Sequence, residues 1–312
     1  MRASIPSCAP GSAAVSAILK WSFGIFLVLV AAGAASAPPP QRNEIVIGLV
    51  PEMNIFRQME RFKPLSSYLS EHTGRTVRFT ILTRYGNIIE GFERRHLDGA
   101  FFGSFTGALA IQKLGIEPLA RPVELGGRSS YAGYIFVRRD SGIENAAGMR
   151  GKRFAFVEKA TSAGYLFPLA YLHARGIKDV DAFLGASYFT GSHDAAIYEV
   201  LQGAANIGAA KDTIYDWLRT VEPRIDKELV VLAKSAEFAS NGLGVRKDMD
   251  PSLKAKLKSL LLHLHESAEG RKVLESLRAK HFIETRVEDY QSVFDEAGKA
   301  GVDIRKYEYR NE

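Results

Sequence analysis

Two short runs bring together side chains that could do chemistry. Glu158-Lys-Ala-Thr161-Ser162-Ala163-Gly164-Tyr165-Leu-Phe-Pro168 follows the apolar run Arg153–Val157 and opens a helical stretch that continues to Arg175 and stops at Gly176. Hydroxyls at a helix start ordinarily accept from the free N–H groups of the first turn, so Thr161 or Ser162 reads as a cap. The same free N–H groups, two hydroxyls and the positive end of the helix dipole also make a seat for an anion. Both readings stay open on this stretch alone. Gly191-Ser192-His193-Asp194 opens a second helix in the same manner. There Ser192 is the expected cap and Asp194 complements the dipole. Capping leaves His193 unexplained: an imidazolium at a helix N-terminus is disfavoured, and a bound anion would compensate it.

Other chemistries find no purchase. His263 and His265 are two apart on a helical run and point to different faces, so they are not a metal pair. His72, His96, His173 and His281 are isolated and expected at the surface. The chain has no Gly-x-Ser-x-Gly elbow, no His-Glu-x-x-His and no Gly-x-x-x-x-Gly-Lys phosphate loop. No two carboxylates are spaced for acid–base work. We therefore expect neither an enzyme nor a cofactor nor a bound metal.

The elements that must position these runs alternate. Glu44–Val50, Thr76–Leu82 and Asp98–Phe102 read as strands, with helices over 57–73, 86–95 and 105–114 between and after them. Pro64 falls inside the first helical run and predicts a late start or a bend. Tyr131–Val137 reads as a strand crossing into a second lobe. There Arg153–Val157, Ser187–Thr190, Ile207–Ala210 and Glu228–Ala233 alternate with helices, including 193–202 and 212–220. The chain returns through Asn241–Arg246 and finishes in helices over 251–266, 270–279 and 287–299. The pattern predicts largely parallel sheets with helices on both faces.

Length and composition allow two ordinary domains: 312 residues with 46 % hydrophobic content. Residues 1–34 read as a signal peptide: Arg2 and Lys20, no acid, then an apolar run from Trp21 to Val30 too short for a comfortable span. Residues 35–43, with three consecutive prolines, read as a linker. The single cysteine, Cys8, precedes the apolar run, so the exported chain has no disulfide and no lipid-attachment thiol. Without Arg2 and Lys20 the 41 Lys+Arg become 39 against 35 acids, a net charge of +4. That mild, scattered excess suits a small anion and lacks the basic run of a nucleic-acid binder.

Over residues 44–300 the chain resembles the phosphate/phosphite/phosphonate-binding proteins of ABC importers, the PhnD-like family. The resemblance rests on Ile47-Gly-Leu-Val-Pro51, Tyr85-Gly-Asn-Ile-Ile-Glu-Gly91, Leu97-Asp-Gly-Ala-Phe-Phe-Gly103, Thr161-Ser-Ala-Gly-Tyr-Leu-Phe-Pro168 and Gly191-Ser-His-Asp194. It implies an α/β, type II periplasmic-binding-protein fold: two lobes, 44–132 with 241–312 and 133–240, joined by two crossing strands around a ligand cleft. It implies that Thr161, Ser162, the backbone N–H of Ala163, and His193 hold an oxyanion, and that Tyr85 and Tyr131 approach from the first lobe. The family usually reads Ser-Thr-Ser-Gly where this chain has Thr161-Ser162-Ala163-Gly164, one hydroxyl fewer. Family carboxylates that hold a ligand amine align here with Thr213, next to Asp212, and with Asn241. The implied function is a periplasmic receptor that hands a phosphorus oxyanion to an inner-membrane ABC permease. Docking on a membrane sensor kinase is the alternative, and a phosphate-ester enzyme a remote one.

Overall fold

The computed structural model describes residues 43–94 and 96–309. The expected signal peptide, its cleavage site and Cys8 lie outside the described residues. The described residues fall in one compact unit. Among the described residues no helix is long and apolar enough to cross a membrane.

Eleven strands are found among the described residues: β1 Glu44–Leu49, β2 Thr76–Ile81, β3 Gly99–Phe102, β4 Glu117–Glu124, β5 Ser130–Arg138, β6 Arg153–Phe156, β7 Ala186–Phe189, β8 Ile207–Lys211, β9 Leu229–Ala239, β10 Gly242–Val245 and β11 Ala279–Glu284. They form two sheets, in the orders β11-β4-β10-β3-β1-β2 and β7-β6-β8-β5-β9. β1 pairs parallel with β2, Glu44 opposite Thr76, and with β3 on its other side. Its apolar run Ile45–Leu49 is buried because helices cover both faces. β6 is likewise parallel to β7 and β8.

The sheets are less parallel than expected. β10 runs antiparallel to β3 and β4, and β11 antiparallel to β4. β5 runs antiparallel to both β8 and β9. The cause is topological: the chain enters the second sheet on β5, leaves it on β9, and must fill the first sheet with returning strands. It passes between the sheets at 125–129 and again at 240–241.

The first helix starts at Ile55, not late. Asn54 caps it by accepting from the N–H groups of Phe56 and Arg57, and Pro64 sits well inside the helix. An interior proline costs about 3 kcal/mol of helix stability. Leu65, Tyr68 and Leu69, packed with Ile45, Ile47, Val77 and Phe79 of β1 and β2, supply the offsetting burial. Gly74 ends the helix at φ 69°.

The loops that matter leave the carboxyl ends of strands, where open α/β sheets place their ligands. Glu52 follows β1, Ser104 follows β3, Glu158–Ser162 follow β6 and His193 follows β7. Lys211 ends β8, and Asn241 lies between β9 and β10.

Candidate functional site

A small cavity lies among the two sheets' loops. It is lined by Glu52, Tyr85, Ser104, Tyr131, Thr161, Ser162, His193, Lys211 and Asn241, among others. Its free volume is about 10 Å³, one water-sized space, so an oxyanion enters only as the walls move apart.

The helix start after β6 is built differently from either sequence reading. Residues Ser162–Leu166 form a turn of π-helix before the α-helix Phe167–His173. Neither hydroxyl caps it. Thr161 Oγ1 donates to the Glu158 carbonyl at 2.6 Å, and Ser162 Oγ bonds Ser104 Oγ at 2.8 Å. Leu166 N–H donates to the Thr161 carbonyl at 3.0 Å, so the N–H groups of residues 162–165 precede the helical ladder. Gly164 lets the turn press on the preceding strand: a Cβ there would lie 2.4 Å from Val157 Cβ.

Ser104 Oγ also bonds Tyr131 Oη, giving a chain of three hydroxyls. Three protons serve two bonds, so in every arrangement one proton is left to donate elsewhere.

His193 is buried at the first position of the helix His193–Leu201. Ser192 Oγ and Asp194 Oδ1 both accept from the N–H of Ala195, as capping predicts. The imidazole is held from behind: its Nδ1 accepts from the Lys211 backbone N–H at 3.3 Å. An accepting Nδ1 in a neutral ring leaves the proton on Nε2. Burial, and then the Lys211 ammonium, push the His193 pKa down to about 3, against the opposing pull of Glu52. The expectation of a cation awaiting an anion is therefore corrected. His193 is a neutral imidazole with a fixed donor.

Tyr85 Oη is buried and has no hydrogen-bond partner. Its ring meets that of His193 edge-on at 6.1 Å, and its backbone N–H donates to Glu158 Oε2 at 3.2 Å. Burial, and then Glu52, push the phenol well above its ordinary pKa, so it keeps its proton. The result is an orphaned donor facing a cavity lined by other donors.

Lys211 is the residue the sequence reading missed. Its ammonium lies 2.5 Å from Glu52 Oε1, 2.9 Å from Asn241 Oδ1 and 4.2 Å from the Tyr131 ring centroid. Burial opposes both charges of the pair, yet each holds the other ionised: Lys211 is shifted up and Glu52 down. A lysine ending the otherwise apolar run Ile207–Ala210 was a signal in the sequence, since a buried strand rarely ends in an ammonium without a use for it. Glu52 and Ser104 carry no comparable signal.

Of the nine residues expected at the site, Tyr85, Tyr131, Thr161, Ser162, His193 and Asn241 line this cavity. Ala163 does not. Its methyl is buried against Gly133 of β5, while its backbone N–H, the group the resemblance invoked, precedes the helical ladder. Asp212 is also elsewhere: it is fully buried and its Oδ2 accepts from Arg128 Nη1 at 2.8 Å. Thr213 lines the wider part of the cleft outside. Both belong to the first turn of the helix Asp212–Val221. Nor is His72 isolated: it stacks on Tyr68 at 4.1 Å and lies with Glu71 and Glu269, their ligand atoms within 4.8 Å of one another.

The arrangement suits an anion. Its donors are the Tyr85 hydroxyl, His193 Nε2–H, the spare hydroxyl proton and the Lys211 ammonium. Its one lining carboxylate is already paired.

The family model for the periplasmic substrate-binding protein of phosphonate ABC transporters matches residues 47–290. The phosphate-import protein of Mycolicibacterium smegmatis is 26 % identical over 258 residues, covering 75 % of this chain and 78 % of that one. A probable ABC transporter phosphite-binding protein of Prochlorococcus marinus is 24 % identical over 263 residues, covering 81 % and 88 %. The solved structure of the Prochlorococcus marinus protein with methylphosphonate is similar at TM-score 0.74 and 21 % identity, covering 83 % of this chain and 99 % of that one. These relatives are binding proteins, not enzymes, and the shared architecture is the type II periplasmic-binding-protein fold. This chain belongs to the periplasmic substrate-binding proteins of the ABC phosphonate transporter family.

Proposed function

We propose that this protein is the extracytoplasmic receptor of an ABC importer and binds a phosphorus oxyanion that carries no amine. The observation that carries the reading is the orphaned Tyr85 hydroxyl, buried beside the outward Nε2–H of His193 and the Lys211 ammonium. A phosphoryl oxygen would accept from all three. Leaving such a donor unpaired costs about 1–3 kcal/mol, which a ligand oxygen would recover. Relatives named for phosphate, phosphite and phosphonate agree with that class of ligand.

The absence of an amine follows from charge. Glu52, the one carboxylate lining the cavity, is paired with Lys211, and Asn241 is neutral. A ligand ammonium there would meet Lys211 and find no free counter-ion, which is costly in a closed cleft. A cleft closing about the crossings at 125–129 and 240–241, with β5 and its Tyr131 in the second lobe rather than divided at 132/133, completes the reading, together with delivery to an inner-membrane permease. Calorimetry at pH 7 with phosphate, phosphite, methylphosphonate and 2-aminoethylphosphonate tests it. We expect one of the first three to bind tightest. A tightest 2-aminoethylphosphonate would overturn the charge argument, and no binding by any would overturn the site.

A further inference from the structure

Beyond the inner cavity the cleft widens into a basin of about 520 Å³. Shared lining residues link the two. Glu52, Lys211 and Asn241 line both the cavity and a narrow neck, and the neck shares Arg61 and Thr213 with the basin. Trp217, on the helix Asp212–Val221, forms one wall. Arg57 and Arg278, from elements packed on the first sheet, face it. The guanidinium carbon of Arg57 lies 5.6 Å from the Trp217 ring centroid and that of Arg278 6.0 Å, both within cation–π reach.

Two facts set these arginines apart. Among the described residues neither pairs with a carboxylate, although Glu60, Glu124 and Asp216 share the basin. Arg278 is also the only described non-glycine residue with positive φ, at 55°. It ends the helix Ala268–Leu277 where glycine is the usual choice. A long cationic side chain kept on unfavourable backbone points to a use for that side chain.

We propose that Arg57 and Arg278, braced on Trp217, form a second anion subsite. The cargo is then an organophosphorus anion whose organic part carries another negative charge. This rests on the inner cavity holding the phosphorus group, with the organic chain running out through the neck. The test is calorimetry on matched series, alkylphosphonates against ω-carboxyalkylphosphonates of equal chain length, over several lengths. At the length that spans the neck the carboxylate should bind about ten-fold tighter, the gain of two half-solvated ion pairs. The double variant Arg57→Ala/Arg278→Gly, whose glycine suits the backbone at 278, should erase that ratio. If alkylphosphonates bind and no carboxylate does better, this inference falls and the inner site stands. A preference that survives in the double variant also overturns it. If neither series binds, the reading of the inner cavity fails and takes this one with it.

Discussion

At the scale of single residues, the site is a set of donors held in place by other bonds, and two predictions follow from that. Tyr85→Phe removes a buried hydroxyl that has no acceptor. It should raise the melting temperature of the unliganded protein while weakening ligand binding, a pairing that calorimetry and thermal melts check together. His193→Ala should weaken binding by about 1.5–3 kcal/mol, the range for a hydrogen bond to a charged acceptor. Neutral His193 also couples folding to pH. Its folded pKa of about 3 lies below the ordinary 6.5, so the unfolded chain binds more protons between those values. Stability from this group is present above pH 6.5 and is lost as pH falls toward 3, by at most about 1.4 kcal/mol per pH unit. Melts between pH 7 and pH 5 should show the decline, and His193→Gln should flatten it. Glu52, held below its usual value, adds a loss only at lower pH, below the ordinary carboxylate range. Residue type and place at a helix start marked His193 and Ser162 in the sequence, whereas Tyr85 and Tyr131 came from the family motifs. Lys211 was marked only by its place at the end of an apolar strand, and its pairing with Glu52 was not legible, because it joins positions 159 apart and no local spacing announces it.

At the scale of elements, the close approach of the π-turn to its strand is a fixed requirement. Gly164→Ala would force a methyl to within 2.4 Å of Val157 Cβ, an overpacking that should cost about 1–3 kcal/mol in denaturant unfolding. The same turn explains why the hydroxyls at 161 and 162 do not act as caps: one bonds a carbonyl and the other Ser104. The alternating strands and helices around it were readable from apolar runs and glycine stops. β4 and β11 were not. β4 carries Pro118 and Pro122, a pattern that argues against an interior strand, and shifts in register in both of its ladders accommodate it. β11 follows directly on a helix ended by Arg278 rather than glycine, so its start had no stop signal.

At the scale of the molecule, bonds between the two sheets' loops hold the cleft walls together. Besides Glu52 with Lys211, the Asn54 N–H donates to Asp194 Oδ2 at 3.0 Å, and the Tyr85 N–H reaches Glu158. Behind the cleft, one apolar cluster takes in Tyr85, Phe102 and Phe105 with Val157, Ala163 and Leu166. The pattern of runs gave an α/β chain with a crossing into a second lobe; the ligand cleft between two lobes came from the family motifs, and strand order was not legible because it is set by long-range pairing. A receptor of this build should open in solution without ligand and close again around it. Small-angle scattering should then give a smaller radius of gyration with saturating phosphate or methylphosphonate, and an unchanged profile would count against a hinge.

Trp217 and Trp21 are the chain's two tryptophans, and Trp21 falls in the expected leader. A chain freed of that leader carries a single indole, and it stands half-buried at the cleft mouth within reach of two guanidinium groups from the opposite wall. Anything that parts the walls uncovers that ring to water and removes its cations. The protein thus holds a built-in optical gauge of its own opening, readable by the colour and quenching of its emission with no attached dye.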